Sequence, residues 1–148
     1  MVNPFDPKTI VLAKHAQHVV LIHFPIALFI TGVALDLFSQ GRRGSKLANA
    51  AYLNLSIAAV SVFPVVVSGL LAWQFALEGQ RIKGLLLWHL WAASVAVLLV
   101  MASWWLHWRA QKLELPVLPP HRVLVELLGV VAIGLTPHLG GFLSGVNA

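Results

Sequence analysis

Four apolar stretches, each about 20 residues or more, are long enough to cross a bilayer as helices and run approximately from Ala16 to Phe38, Ala50 to Leu77, Leu85 to Trp108 and Val123 to Leu143. Within hydrocarbon every backbone N–H and C=O must find a partner inside its own segment, so stretches of this length fold as helices. Polar breaks separate them. SQGRRGSK, from Ser39 to Lys46, is a glycine-containing basic turn; EGQRIKG, from Glu78 to Gly84, is a short polar turn; and Arg109 to Arg122 carries Pro116, Pro119 and Pro120. Short loops make successive helices antiparallel neighbours, which predicts an all-α, up-down-up-down bundle of four transmembrane helices. With 59% hydrophobic and 10% charged residues, the chain is far from the roughly 25% charge of a soluble domain. At 148 residues it forms a single membrane domain over 1–148, too short for a transporter of two inverted halves.

A net charge of +5 does not mark a nucleic-acid binder here, because the basic residues sit at the ends of apolar runs, where they act as topology signals and lipid-headgroup contacts. Loops one and three hold Arg42, Arg43, Lys46, Arg109, Lys112 and Arg122, against Lys8, Lys14, Arg81 and Lys83 in the N-terminal segment and second loop. The positive-inside rule then places both termini on the outer, periplasmic side of a bacterial inner membrane. Trp73, Trp88 and Trp91 fall near one interface and Trp104, Trp105 and Trp108 near the other, as an aromatic belt does. The opening MVNPFDPKTIVLAK does not read as a secretory signal, since its lysines follow Pro4 and Pro7 and no small-residue cleavage site succeeds the first apolar run.

Threaded this way, His18, His23, His89 and His138 come out toward the same outer face. At about 1.5 Å per residue, His23, His89 and His138 share a similar depth, with His18 higher and His15 at the interface. A buried imidazole needs a hydrogen-bond partner or a metal, and polar groups inside a membrane are usually functional. The plain account of any one histidine is a bond across a helix interface; several at one level point to a ligand set. With no cysteine, a thiolate-held cluster is excluded, and the chain lacks the Glu-x-x-His signature of di-iron bundles. A b haem needs only opposed imidazoles and an apolar slot. Gly69, Gly134, Gly140 and Gly141, with Gly32 deeper, offer small positions that serve a porphyrin or close helix packing equally. His18 and His23 differ by about 140° around a regular helix, so the first ligand pair is His23 with His89 or His138. The remaining histidines suit a second haem, the propionates or a quinone pocket.

Other polar residues take plainer readings. His107 and His121 read as interfacial, facing headgroups. Asp36 and Glu126 are the only acids within spans and lie near the inner face; Asp36 pairs with a basic neighbour such as Arg43, and Glu126 with Arg122 four residues earlier. Asn49, Asn54, Ser56, Ser61 and Ser68 join helices, and Pro64 kinks the second span.

The chain resembles an uncharacterised bacterial family of small four-helix membrane proteins, domain of unknown function 2231. The resemblance rests on His18-Val-Val-Leu-Ile-His23-Phe-Pro-Ile, Asp36, Ser68-Gly69-Leu, His89 opening the third span, and Leu135-Thr-Pro-His138-Leu-Gly-Gly141 closing the fourth. Val19 stands where the family commonly has proline, and Pro137 where it has a small residue. Relatives that look joined to Rieske and c-type cytochrome domains imply redox work. The expectation is a b-type cytochrome-like subunit, more an electron-transfer subunit than a complete enzyme. It would pass electrons between quinone and an outer partner such as a cytochrome c or Rieske-type protein, using one or two haems. The rival expectation is a non-catalytic structural subunit of a larger redox or photosynthetic membrane complex, its histidines bonding across helices or contacting pigments. A small transporter or proton-linked channel is a third reading, opposed by the lack of a charge near mid-membrane.

Overall fold

The computed structural model describes residues 14–75 and 77–144, with the backbone alone at 14–16. Among the described residues there are four helices: α1 (Lys14–Ser39), α2 (Lys46–Phe75), α3 (Leu85–Lys112) and α4 (Arg122–Leu143). All four are long and apolar enough to span a membrane. Expectations for Lys8 and for the His15 and Lys14 side chains, and the reading of the opening segment, lie outside the described residues.

The helices are longer than the apolar runs that announce them. α2 begins at Lys46 because the Ser45 hydroxyl accepts the Ala48 N–H at 3.1 Å, a side-chain cap that lets a charged residue occupy the first turn. α3 continues past Trp108 to Lys112, where Arg109 and Lys112 complement the negative end of the helix dipole. It then closes with paired bonds, Leu115 N–H to Ala110 O at 3.0 Å and Glu114 N–H to Gln111 O at 3.2 Å, with Glu114 left-handed at φ 52° as a Schellman turn requires. Pro25, Pro64 and Pro137 all lie inside continuous helices.

α1 packs along α2 and α3 along α4; the two hairpins meet where α2 touches α3 and α1 touches α4. Phe29, Val33, Leu55, Ala58, Ala59, Val62, Val100 and Ile133 form the core. Small residues permit the close approach of α1 and α2: a methyl on Gly32 would lie 2.9 Å from Leu55 Cγ. This is the packing mode of membrane helices, which associate by van der Waals contact rather than by escape from water. Large apolar side chains, among them Val20, Phe24, Phe38, Phe63, Leu98 and Val131, point outward, as a lipid-facing surface requires.

Loops one and three zip together at the end of the bundle that carries most of the arginines, here the basic end. Arg42 and Val117 form an antiparallel bridge, Leu118 N–H donates to Gly41 O at 3.1 Å, and Arg43 Nη1 donates to the carbonyls of Ala110 and Leu115. The opposite, terminal end holds the start of α1, the end of α4 and the second loop. Trp73 Nε1–H donates to Gln80 O at the terminal end. Trp104 stacks on Trp108, and Arg109 lies over Trp105, at the basic end.

Candidate functional site

The strongest polar feature lies at the basic end. Arg122 and Glu126 are four residues apart and share one face of α4; Asp36 reaches that face from α1 and His107 from α3. Arg122 Nε donates to Asp36 Oδ2 at 2.6 Å, and His107 Nε2 lies 2.9 Å from Glu126 Oε1. Asp36 and Glu126 are fully buried and His107 is 3% exposed. Asp36 Oδ1, 4.0 Å from His107 Nε2, and Glu126 Oε2 have no hydrogen-bond partner among the described residues. Gly41 makes room for the arginine: at φ 66° it adopts a turn that disfavours a side chain, and a Cβ there would lie 2.5 Å from Arg122 Nη2.

Beside this cluster a vestibule of about 200 Å³ is lined by Arg43, Gly44, Ala48, Asn49, Tyr52, His107, Gln111 and Leu118. His107 therefore belongs to both: its Nε2 faces Glu126, and the residue lines the vestibule.

Three expectations are corrected here. Asp36 pairs with Arg122 rather than Arg43, whose guanidinium is taken up by the Ala110 and Leu115 carbonyls. Glu126 bonds to His107 rather than to its helical neighbour Arg122, because Arg122 turns toward α1. His107 faces the bundle interior instead of headgroups, whereas His121 is exposed just before α4. The serines and asparagines of α2 differ as well. Asn54, Ser56 and Ser61 bond to carbonyls of their own helix, the usual recourse of short polar side chains in apolar surroundings. Ser68 does join helices, and Asn49 faces the vestibule.

The four histidines expected at the outer face lie toward the terminal end, distributed over the two hairpins. His18 Nδ1 lies 2.9 Å from Ser68 Oγ, whose hydroxyl donates to Val65 O; the serine proton being committed, the ring donates. His89 Nδ1–H donates to Thr136 O at 3.1 Å, and His23 Nδ1–H donates to Val19 O at 2.7 Å within α1. All three rings are thus held at Nδ1 by an oxygen of the protein. The two hairpins repeat one device: Gly69 faces His18, with 3.1 Å from a built Cβ to Cε1, and Gly140 faces His89 at 3.3 Å. Gly134 has nothing within 4 Å of such a Cβ. His138 is exposed and meets Phe142 edge-on, with ring centroids 5.2 Å apart.

Among the described residues, Asp36, His107 and Glu126 are the one set of three such groups whose ligand atoms lie within 4.8 Å of one another. The outer histidines form no such set. A cleft of about 120 Å³ near His18 is lined by Gln17, Ser68, Leu71 and Phe75.

Four membrane-length helices around a buried ionic cluster define a small multi-pass membrane protein. The chain belongs to the predicted membrane protein family DUF2231, whose model matches residues 14–146. No curated protein and no solved structure matches it.

Proposed function

We propose that the protein is a b-type cytochrome-like electron-transfer subunit of a bacterial inner membrane. It carries electrons between quinone and a redox partner, a cytochrome c or Rieske-type protein, at the terminal, periplasmic end. The observation that carries this reading is that His18, His23 and His89 are each held at Nδ1 by an oxygen. An Nδ1–H anchored on an oxygen fixes the orientation of the ring, the arrangement that metal-bound imidazoles use. His23 and His89 are the favoured ligands, with His138 and His18 as the others. A haem there supplies one-electron chemistry; the chain orients the rings through Val19, Ser68 and Thr136.

The nearby cleft of about 120 Å³ is well below the roughly 300 Å³ of an enclosed ligand pocket, and His23 and His138 are exposed. A haem held by these rings would lie on the outside of the bundle, against another subunit. Titrating haemin into the purified protein in lipid nanodiscs tests this. Saturable binding with a six-coordinate spectrum, weakened by His23→Ala or His89→Ala, is expected; binding indifferent to both substitutions would defeat it.

A second reading, a non-catalytic structural subunit of a larger complex, is favoured by the repeated His–Gly device. His18 and His89 each lock one hairpin through a bond to the neighbouring helix. Under it, alanine at either position lowers stability and haemin does not bind.

A further inference from the structure

We propose that the His107–Glu126 pair binds and releases one proton, taken up through the vestibule at the basic end, with the imidazole carrying it between water and Glu126. Two buried carboxylate oxygens, Asp36 Oδ1 and Glu126 Oε2, lack a donor, and a buried acceptor left in that state is costly. Removing the charge of one of the two carboxylates lowers that cost.

Charge excludes a divalent cation as the neutralising species. Asp36 and Glu126 ionised, set against Arg122, leave the cluster with one uncompensated negative charge. One proton cancels it. A divalent cation would leave the cluster with a net positive charge beside the Arg122 guanidinium, in surroundings that screen little. An imidazole and a carboxylate 2.9 Å apart are a proton-holding pair, since their hydrogen bond itself requires a proton on one of the two.

Access is one-sided. His107 lines the vestibule, and a histidine can take a proton at one ring nitrogen and give one up from the other. In the loading step a proton from water adds to Nδ1 of His107, and the proton on Nε2 passes to Oε1 of Glu126. This leaves a carboxylic acid, a neutral ring with its proton on Nδ1, and a cluster of zero net charge; release is the reverse. Toward the terminal end the way is closed. Phe29, Val100 and Ile133 each lie seven residues, about two helical turns, from Asp36, His107 and Glu126 respectively, and all three are buried in the core. Phe29 presses so closely on Gly129 that an added Cβ would lie 2.6 Å from its ring. The charged and titratable groups facing the pair are Asp36 from α1 and Arg122 from α4, with Tyr52 of α2 and Arg43 of the first loop at the vestibule. The site is separate from the outer histidines and does not depend on their binding haem.

Infrared spectroscopy of the full chain in nanodiscs over a range of pH, in ordinary and heavy water, reads the proton directly. A carboxylic-acid C=O band that grows as pH falls, shifts in heavy water and is lost in Glu126→Gln is expected. Filling the vestibule by Asn49→Trp should slow the heavy-water shift. Should Glu126→Gln fail to fold, solid-state NMR of the imidazole nitrogens in the unsubstituted chain decides, with His107 assigned through its contact with carbon-labelled glutamate. The His107 ring proton should move from Nε2 to Nδ1 over the same pH range as the band. The proposal is overturned by a band that is absent at every pH or survives Glu126→Gln, by exchange indifferent to Asn49→Trp, or by stoichiometric binding of zinc or manganese at the cluster.

Discussion

Arg122, the first residue of α4, donates to Asp36 of α1 at 2.6 Å and so ties the last helix to the first across 86 positions of sequence. Because Asp36 is fully buried, removing the arginine strands a carboxylate. Arg122→Met should cost about 3–5 kcal/mol. The double variant Asp36→Leu/Arg122→Met should recover most of that loss, since replacing a buried pair with apolar groups is often close to neutral. Unfolding by denaturing detergent measures both; a double variant no better than the single one would show that the pair is not the coupling unit.

Gly41 and Gly44 both have positive φ, 66° and 82°, but only Gly41 is pressed by Arg122, Gly44 having open space. The backbone cost of Gly→Ala, about 1–2 kcal/mol in left-handed geometry, is common to both. Gly41→Ala should therefore be distinctly worse than Gly44→Ala in thermal unfolding. The excess should shrink when Arg122 is also shortened to lysine. Equal effects would refute the contact.

Phe29 of α1 lies against Gly129 of α4, where an added Cβ would be 2.6 Å from the phenylalanine ring. Overpacking a core costs about 1–3 kcal/mol, so Gly129→Ala should lose stability in that range, and Phe29→Leu should offset part of it. A double-mutant cycle reads the coupling, and strict additivity would contradict the contact.

Topology can be read without background because the chain has no cysteine. Cysteines placed at Arg42 or Lys112, both exposed at the basic end, should react with a membrane-impermeant thiol reagent only from the cytoplasmic side. A cysteine at Gln80 should react only from the periplasm. The reverse pattern would invert the orientation.

The spans were legible because a bilayer demands about 20 apolar residues per crossing, and no other fold satisfies four such runs. Their ends were less so: Lys46 and Lys112 look like loop residues until the Ser45 cap and the Glu114 turn are seen to hold them. The basic-end cluster was half visible. Asp36, His107 and Glu126 can each be assigned a depth from sequence, and Arg122 and Glu126 share a face by spacing alone. Which partner each takes depends on how three helices are rotated about their axes, and spacing within one helix favours the local Arg122–Glu126 pair that the fold rejects. The signal available was that Phe29, Val100 and Ile133 each stand seven residues from one member, which aligns a plug with a polar layer. For the outer histidines, depth was readable but direction was not. His23 lies on an exposed face, while His18 and His89 turn toward Ser68 and Thr136.

The haem reading is tested most directly by the optical spectrum of the protein purified in mild detergent from a haem-sufficient host. A reduced-minus-oxidised difference should show the sharp bands of a bis-histidine b haem, and a pyridine haemochrome assay should return one or two haems per chain. A colourless preparation, folded and free of haem, would contradict the account and leave the structural-subunit reading in its place.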